Sequence, residues 1–332
     1  MSIVLAVDGG NSKTDLALVR DDGAVLALVR GGMSSPHHIG LDGCVDLLQR
    51  LYDEAVEHAG VTGPADVGQV LLAGLDLPAE EQALHAAIAD RSWAHRLSVA
   101  NDTFAVLRAG TERGWGVAVV CGAGINCVGV GPDGRHARFP ALGAISGDWG
   151  GGYDVGLAAL GAAARSEDGR GPRTQLEESV PAYFGVATPS ALAEAIHRGE
   201  IPQRRLVELA PVVFELAGTD AVAAGLVDRL ATEVVALAEV ALRRLELTVE
   251  PVEVLLGGGL FQREDTSLVD AIRIALSALG QHITVRATTQ PPIVGAALLG
   301  LDELGAAAEA QERVRRELAE HATVQSERPI YG

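Results

Sequence analysis

Two stretches of this chain repeat one plan, and that repeat narrows the possible folds more than any single motif. Residues 3–30 read as a strand, a glycine loop, a returning strand, the turn Asp21-Asp22-Gly23 and a third strand. Residues 116–139 run in the same order, through Gly122-Ala123-Gly124-Ile125-Asn126 and the turn Pro132-Asp133-Gly134. Asp-Gly after an apolar run is a strong hairpin signal, so each stretch predicts a three-stranded meander. Identity between the copies is slight; the repeat lies in topology.

The first glycine loop, Asp8-Gly9-Gly10-Asn11-Ser12-Lys13-Thr14-Asp15, leads from one strand straight into the next. A Rossmann or Walker loop opens instead onto a helix whose N-terminus helps to hold the anion. Neither G-x-G-x-x-G nor G-x-x-x-x-G-K-[ST] is present, because Ser12 stands where a Walker loop needs glycine before Lys13. What remains is a hairpin tip with exposed backbone N–H groups. Alone, it reads equally well as an ordinary tight turn.

Around the meanders, helical spacing predicts helices over 41–59, 79–90, 103–113, 153–164, 190–217, 221–245, 266–279 and 294–318. Further strands are expected over 70–73, 97–100 and 252–256. The predicted class is α/β, two mixed sheets flanked by helices. A length of 332 residues also points to two domains, since single cores usually stop growing near ~250–300 residues. The boundaries expected are 1–113 with about 290–332 for the first domain. The second takes 114–289, with a helical insertion, and a cleft between two such halves is the natural binding site.

Composition mainly excludes. A hydrophobic content of 48% with 40 glycines fits a globular, turn-rich protein. The net charge of −18 argues against nucleic acid or an anionic membrane surface as partner. No apolar run reaches the ~20 residues of a membrane span, and no basic-then-apolar signal segment opens the chain, so a cytoplasmic location is expected. Cys44, Cys121 and Cys127 are odd in number and widely spaced, which fits reduced core thiols. No zinc-ligand spacing of histidine and cysteine occurs, so no structural metal is expected.

Glycine loops at equivalent places in two related domains can face one polyphosphate with two sets of N–H groups. Asp8, ending the first strand, is placed to hold Mg²⁺ directly or through water, with a turn-capping role as the plain alternative. Ser12, Lys13 and Thr14 can donate to phosphate oxygens, although Lys13 can equally point into solvent. Asn101-Asp102 follows the strand over 97–100 and begins a helix at Thr103. A carboxylate there is either a helix N-cap or a general base at the carboxyl end of a strand. The run Ser146-Gly147-Asp148-Trp149-Gly150-Gly151-Gly152-Tyr153-Asp154 lets backbone approach a ligand, with Asp148 as an acceptor for a sugar hydroxyl. Gly257-Gly258-Gly259 is either a surface for an adenine or a capping turn.

Taken in order, Asp8–Asp15, Asn101-Asp102, 122–126, Gly147-Asp148-x-Gly150, 256–260 and 292–295 resemble the ATPase family that contains N-acetylglucosamine kinase, within the sugar kinase/actin-like superfamily. The chain looks most like the actinobacterial glucosamine kinases of that family. The resemblance implies two ribonuclease H-like domains, ATP with Mg²⁺, and a hexosamine. It also implies Asp102 as base, with Asn101, Gly124, Asn126, Gly147 and Asp148 around the sugar. His37, in the loosely matching segment 34–38, joins them. Gly9, Gly10, Asn11, Ser12 and Lys13 with Gly122, Ala123 and Gly124 would take the phosphates, and Gly258 and Gly259 would flank the adenosine. Ala123 departs from the family's usual threonine, as does Ser12, and Asn11 replaces a usual glycine.

The function expected is transfer of the γ-phosphoryl group of ATP to the 6-hydroxyl of glucosamine, with N-acetylglucosamine as the alternative acceptor and a homodimer as the candidate assembly. Physically, a 2-ammonium group wants a carboxylate such as Asp148 or Asp154, whereas an acetamido group wants a small apolar pocket. Two rivals come from other classes. An ATPase activator of a radical dehydratase needs paired cysteines for an iron–sulfur cluster, which the three cysteines do not offer. A non-enzymatic sugar-binding regulator needs a DNA-binding module, and no helix-turn-helix precedes Asp8.

Overall fold

The computed structural model describes residues 1–247 and 249–326. The chain divides into two compact units, one made of 1–118, 132–134 and the residues from 288 on, the other of 119–131 and 135–287. The last residues of the expected first domain, 327–332, lie outside the described residues.

The first unit opens with β1 (Ile3–Gly9), β2 (Thr14–Arg20) and β3 (Val25–Gly31), then α1 (Pro36–Ala59), β4 (Ala65–Leu72), α2 (Pro78–Ile88), β5 (Ala94–Asn101) and α3 (Thr103–Gly110). Its sheet runs β3-β2-β1-β4-β5. The meander pairs antiparallel, whereas β1, β4 and β5 run parallel through helical crossovers. Successive residues of β1 point to opposite faces and both faces are covered. Leu5 and Val7 pack with Cys44, Leu48 and Leu51 of α1, while Val4 and Ala6 pack with the helices that end the chain. That double burial is why the strands read as continuous apolar runs.

The second unit continues with β6 (Gly116–Cys121), β7 (Ile125–Val130), β8 (His136–Arg138) and α4 (Gly151–Glu167). Then come α5 (Leu176–Tyr183), α6 (Pro189–His197), α7 (Ala210–Leu216), α8 (Ala221–Arg244), β9 (Val252–Gly257), α9 (Ser267–Ser277) and β10 (Ile283–Ala287). Its sheet order, β10-β9-β6-β7-β8, repeats the first sheet element for element. The chain closes with α10 (Pro292–Glu303) and α11 (Ala308–Ser326). α10 crosses α3 so closely that a Cβ on Gly295 would stand 1.9 Å from the Ala105 carbonyl oxygen. Only glycine permits that crossing, and α3 is the helix that Asp102 precedes.

Four expectations need correction. The single helix over 190–217 is α6 and α7 joined by a 3₁₀ segment, because Gly199 takes a left-handed φ of 75° and Pro202 then denies a backbone donor. The helix over 294–318 breaks into α10 and α11 at Gly305, whose φ is 68° and whose N–H closes onto the Asp302 carbonyl. α5 and β10 were not expected at all. β10 is an edge strand in which only Ile283 and Val285 are buried, so two apolar residues are its whole signal.

Candidate active site

β1 delivers Asp8 to the rim of the first sheet, paired in register with Asp15 across the hairpin. The tip closes with Gly10 N–H donating to the Lys13 carbonyl at 2.8 Å. The carbonyls of Gly9 and Gly10 accept from Ala73 and Ser34, which ties the loop to β4 and to the segment before α1. A Cβ on Gly9 would lie 2.1 Å from Ser34 Oγ, so this glycine serves packing as well as backbone exposure. Asn11, Ser12 and Lys13 are exposed. Lys13 nevertheless has an internal partner, since its Nζ lies 3.2 Å from Asp15 Oδ2. Asp15 is buried and also receives Arg30 in a fork, Nε at 2.6 Å and Nη2 at 3.0 Å.

At the end of β5, Asn101 is buried, and its Oδ1 accepts both the Thr103 N–H (3.0 Å) and the Thr103 hydroxyl (2.7 Å). Asn101, rather than Asp102, therefore caps α3 with its side chain. Asn101 Nδ2 donates to Asp76 Oδ1 at 3.0 Å, so much of the amide that was expected to face a sugar is committed to protein.

Burial, reinforced by repulsion from Asp76, pushes the Asp102 carboxyl up to about 7, with the amides of Thr103 and Asp102 itself pulling the other way. Burial also holds Asp8 well above the usual carboxylate range, with repulsion from Asp102 and Asp15 adding to it against the smaller pull of Lys13 and Arg30. These carboxylates hold more negative charge than Lys13 and Arg30 relieve. The donor set fits a divalent cation at Asp8, whose charge would offset that repulsion.

His37 lies beside Asp76 and Glu80. Its Nε2 is 2.8 Å from Glu80 Oε1, while Glu80 Oε2 accepts the N–H groups of Asp76 and Leu77 at 2.8 Å each. Ligand-type atoms of His37, Asp76 and Glu80 lie within 4.8 Å of one another, but both Glu80 oxygens are already engaged by the protein. Asp76 and Glu80 escaped the sequence reading. Pro78 followed two residues later by a glutamate marks a helix start, and that signal was available.

In the second unit the loop 122–126 joins β6 to β7. Gly122 N–H turns inward to the Gly124 carbonyl at 3.0 Å, so this member of the expected N–H set is used within the loop. The Gly122 and Ala123 carbonyls accept from Gly152 and Tyr153 at the start of α4. Gly151, with φ of 75°, passes so close that an added Cβ would be 2.3 Å from the Gly124 carbonyl oxygen. The two glycine segments, distant in sequence, are therefore sewn into one body.

Asp154 caps the Gly150 N–H at 2.9 Å, which occupies one carboxylate considered for an amino group. Asp148 accepts a short hydrogen bond from Ser146, and Trp149 lies under the Arg229 guanidinium of α8 at 3.9 Å. Asn126 folds its Oδ1 onto the next residue's N–H at 2.7 Å. Gly258, with φ of 96°, crosses the end of β6, where an added Cβ would meet the Cys121 carbonyl oxygen at 2.2 Å, whereas Gly259 borders open space. The structure thus gathers Asp8, the first loop, Asn101, Asp102 and His37 in one unit. It gathers 122–126, 147–154 and Gly258 in the other.

The profile of the BadF/BadG/BcrA/BcrD ATPase family matches residues 5–300. The chain belongs to that family. An N-acetylmuramic acid/N-acetylglucosamine kinase of Clostridium acetobutylicum is 30% identical over 214 residues, which cover 64% of this chain and 70% of that one. An N-acetyl-D-glucosamine kinase of Dictyostelium discoideum is 25% identical over 322 residues, covering 90% of this chain and 98% of its own.

Among solved structures, a candidate N-acetylglucosamine kinase from Chromobacterium violaceum matches with a TM-score of 0.70 and 25% identity, over 90% of this chain and 99% of that one. A ROK family glucokinase from Streptomyces griseus matches at 0.54 with 16% identity over 91% of this chain and all of its own, a likeness of fold alone. The fold is the paired mixed α/β architecture of the actin-like ATPase sugar kinases. Among the described residues no helix is long and apolar enough to cross a membrane.

Proposed function

We propose that this family member is an ATP-dependent hexosamine kinase that phosphorylates the 6-hydroxyl of glucosamine. The observation that carries the reading is Asp102, a carboxylate at the end of a parallel strand whose environment brings it to about 7. A general base is most effective when poised near the working pH. Asp102 takes the proton from the sugar 6-hydroxyl as that oxygen attacks the γ-phosphorus, the bond to the β-phosphate oxygen breaks, and ADP leaves.

Gly9, Gly10, Asn11, Ser12 and Lys13 hold phosphate oxygens, and so do Ala123 and Gly124. Gly258 and Gly259 accommodate the adenosine. His37, Asn126, Gly147 and Asp148 orient the sugar, together with whatever donor capacity Asn101 keeps. Asp8 would hold Mg²⁺, which supplies positive charge to the phosphates when bound.

Glucosamine is preferred on the family resemblance and on Asp148 and Asp154, carboxylates suited to an ammonium group although each already accepts one internal hydrogen bond. The second reading is N-acetylglucosamine, supported by the names of the relatives in Clostridium and Dictyostelium. ADP release measured side by side with glucosamine, N-acetylglucosamine, glucose and N-acetylmannosamine separates the two. Glucosamine should give the highest kcat/KM. Preference for N-acetylglucosamine would replace the acceptor, and failure of every sugar to stimulate ADP release would remove the kinase reading.

A further inference from the structure

We propose that Asp76 is a positioning residue for the base Asp102, acting through the side-chain amide of Asn101. The inference rests on the kinase reading for the role of Asp102, but the geometry stands by itself. Glu80 Oε2 accepts the N–H groups of Asp76 and Leu77 at 2.8 Å each, which pins the turn between β4 and α2. Asp76 Oδ1 then accepts Asn101 Nδ2 at 3.0 Å. On the other side, Asn101 Oδ1 accepts from both the Thr103 N–H and its hydroxyl.

That arrangement fixes the amide in one sense. A flipped Asn101 would set its NH₂ against the Thr103 N–H and its oxygen against the Asp76 carboxylate, two mismatches at a buried position. Asn101 ends β5 and Thr103 begins α3, so these bonds define the corner on which Asp102 stands. Without Asp76 the amide loses one of the partners that orient it, and the corner loses a partly buried constraint. Asp102 would then point less accurately at the acceptor hydroxyl, and misplacement of a reacting group lowers the rate of chemistry more than it weakens binding. His37, bonded to the other oxygen of Glu80, buttresses the same turn from α1.

The test is steady-state ADP release with the preferred sugar for wild type, Asp76→Ala, Asp76→Asn and Glu80→Gln. Asp76→Ala should lower kcat about 10–100-fold, the size expected for losing a hydrogen bond to a charged group, with both KM values within about threefold of wild type. Asp76→Asn should recover most of kcat, because its side-chain oxygen can still accept from Asn101. Glu80→Gln should fall in between and remain folded, since a glutamine oxygen can still take the two N–H groups.

A large rise in sugar KM as the main effect would make Asp76 a substrate contact and overturn the proposal. So would equal impairment of Asp76→Ala and Asp76→Asn, or an unchanged kcat. The Asn101 side-chain NH₂ signals in a ¹⁵N spectrum supply a reading that needs no turnover. They should move in Asp76→Ala and not in Asp76→Asn, and signals indifferent to both changes would sink the idea. If wild type releases no ADP with any sugar, the kinase reading fails while this spectrum still decides the geometry.

Discussion

The two glycine loops occupy the same station in the same sheet order and both are tied by backbone hydrogen bonds, but only the first adds a charge network. The loop at Gly9–Lys13 adds charge to the backbone ties at its Gly9 and Gly10 carbonyls. Asp15 beneath it is gripped by Arg30 and Lys13, Asp8 and Asp102 repel each other beside it, and the tip residues are exposed. The loop at 122–126 stands on backbone. Its carbonyls are taken by the start of α4, one of its N–H groups is spent internally, and Gly151 seals the joint without room for a methyl group. In the proposed function, the charge network of the first unit serves proton transfer and cation binding, and the second loop serves as a rigid backbone surface.

Four substitutions probe that contrast, beginning with the largest effect. Asp102→Asn should lower kcat by about 10²–10⁴-fold, the usual worth of a general base. The same change should stabilise the fold at pH 8. Asp102 binds its proton more tightly folded than unfolded, so ionising it opposes folding, and the penalty grows as pH rises from 3.8 to about 7 and is constant above. At ~1.4 kcal/mol per unit the ceiling is about 4 kcal/mol, so a gain of a few degrees in melting temperature is expected at pH 8 and none at pH 3. In the wild type, kcat/KM should fall tenfold per unit below about pH 7 as Asp102 protonates. A mutant as active as wild type, or less stable at pH 8, would refute the assignment of a desolvated base.

Gly151→Ala comes next. The new methyl would press on the Gly124 carbonyl from a left-handed backbone, a strain of about 1–3 kcal/mol that thermal melting should register. The matched change in the other loop, Gly10→Ala, meets only the Lys13 carbonyl oxygen at 3.6 Å and should leave the melting temperature within about a degree. Equal losses in the two mutants would erase the distinction between a joint with no room for a methyl group and a tip that has it.

Lys13→Ala should do least. The Nζ–Asp15 contact is half-exposed and Arg30 keeps its fork on the same carboxylate, so stability should change by less than ~1 kcal/mol. Any effect should sit in the KM for ATP, and a loss of kcat instead would move Lys13 into the chemistry.

Much of this was legible beforehand because it rests on local patterns. Asp-Gly turns between apolar runs announced both meanders, and Gly60, with its left-handed φ of 62°, ended α1 where a C-cap glycine should. Asn101-Asp102 could be flagged from its station at a strand end, but which of the pair capped the helix depended on side-chain direction. Asp76 and Glu80 looked like surface residues of a helix start. Their link to Asn101 joins positions 25 residues apart in the chain, across neighbouring parallel strands. Gly151 is one glycine among several in the sequence, and its contact with the Gly124 carbonyl exists only in the fold.

The sequence alone determined that strands and helices alternate in two matching sets, where the glycine loops fall, and which carboxylates end strands. Each of those follows from periodicity, from turn chemistry, or from the order of residues along the chain. Only the tertiary structure decided how the loops are anchored, which amide orients the Asp102 corner, and how far burial lifts Asp8 and Asp102. Those properties depend on desolvation and on partners distant in sequence, and neither has a signature in the residues themselves.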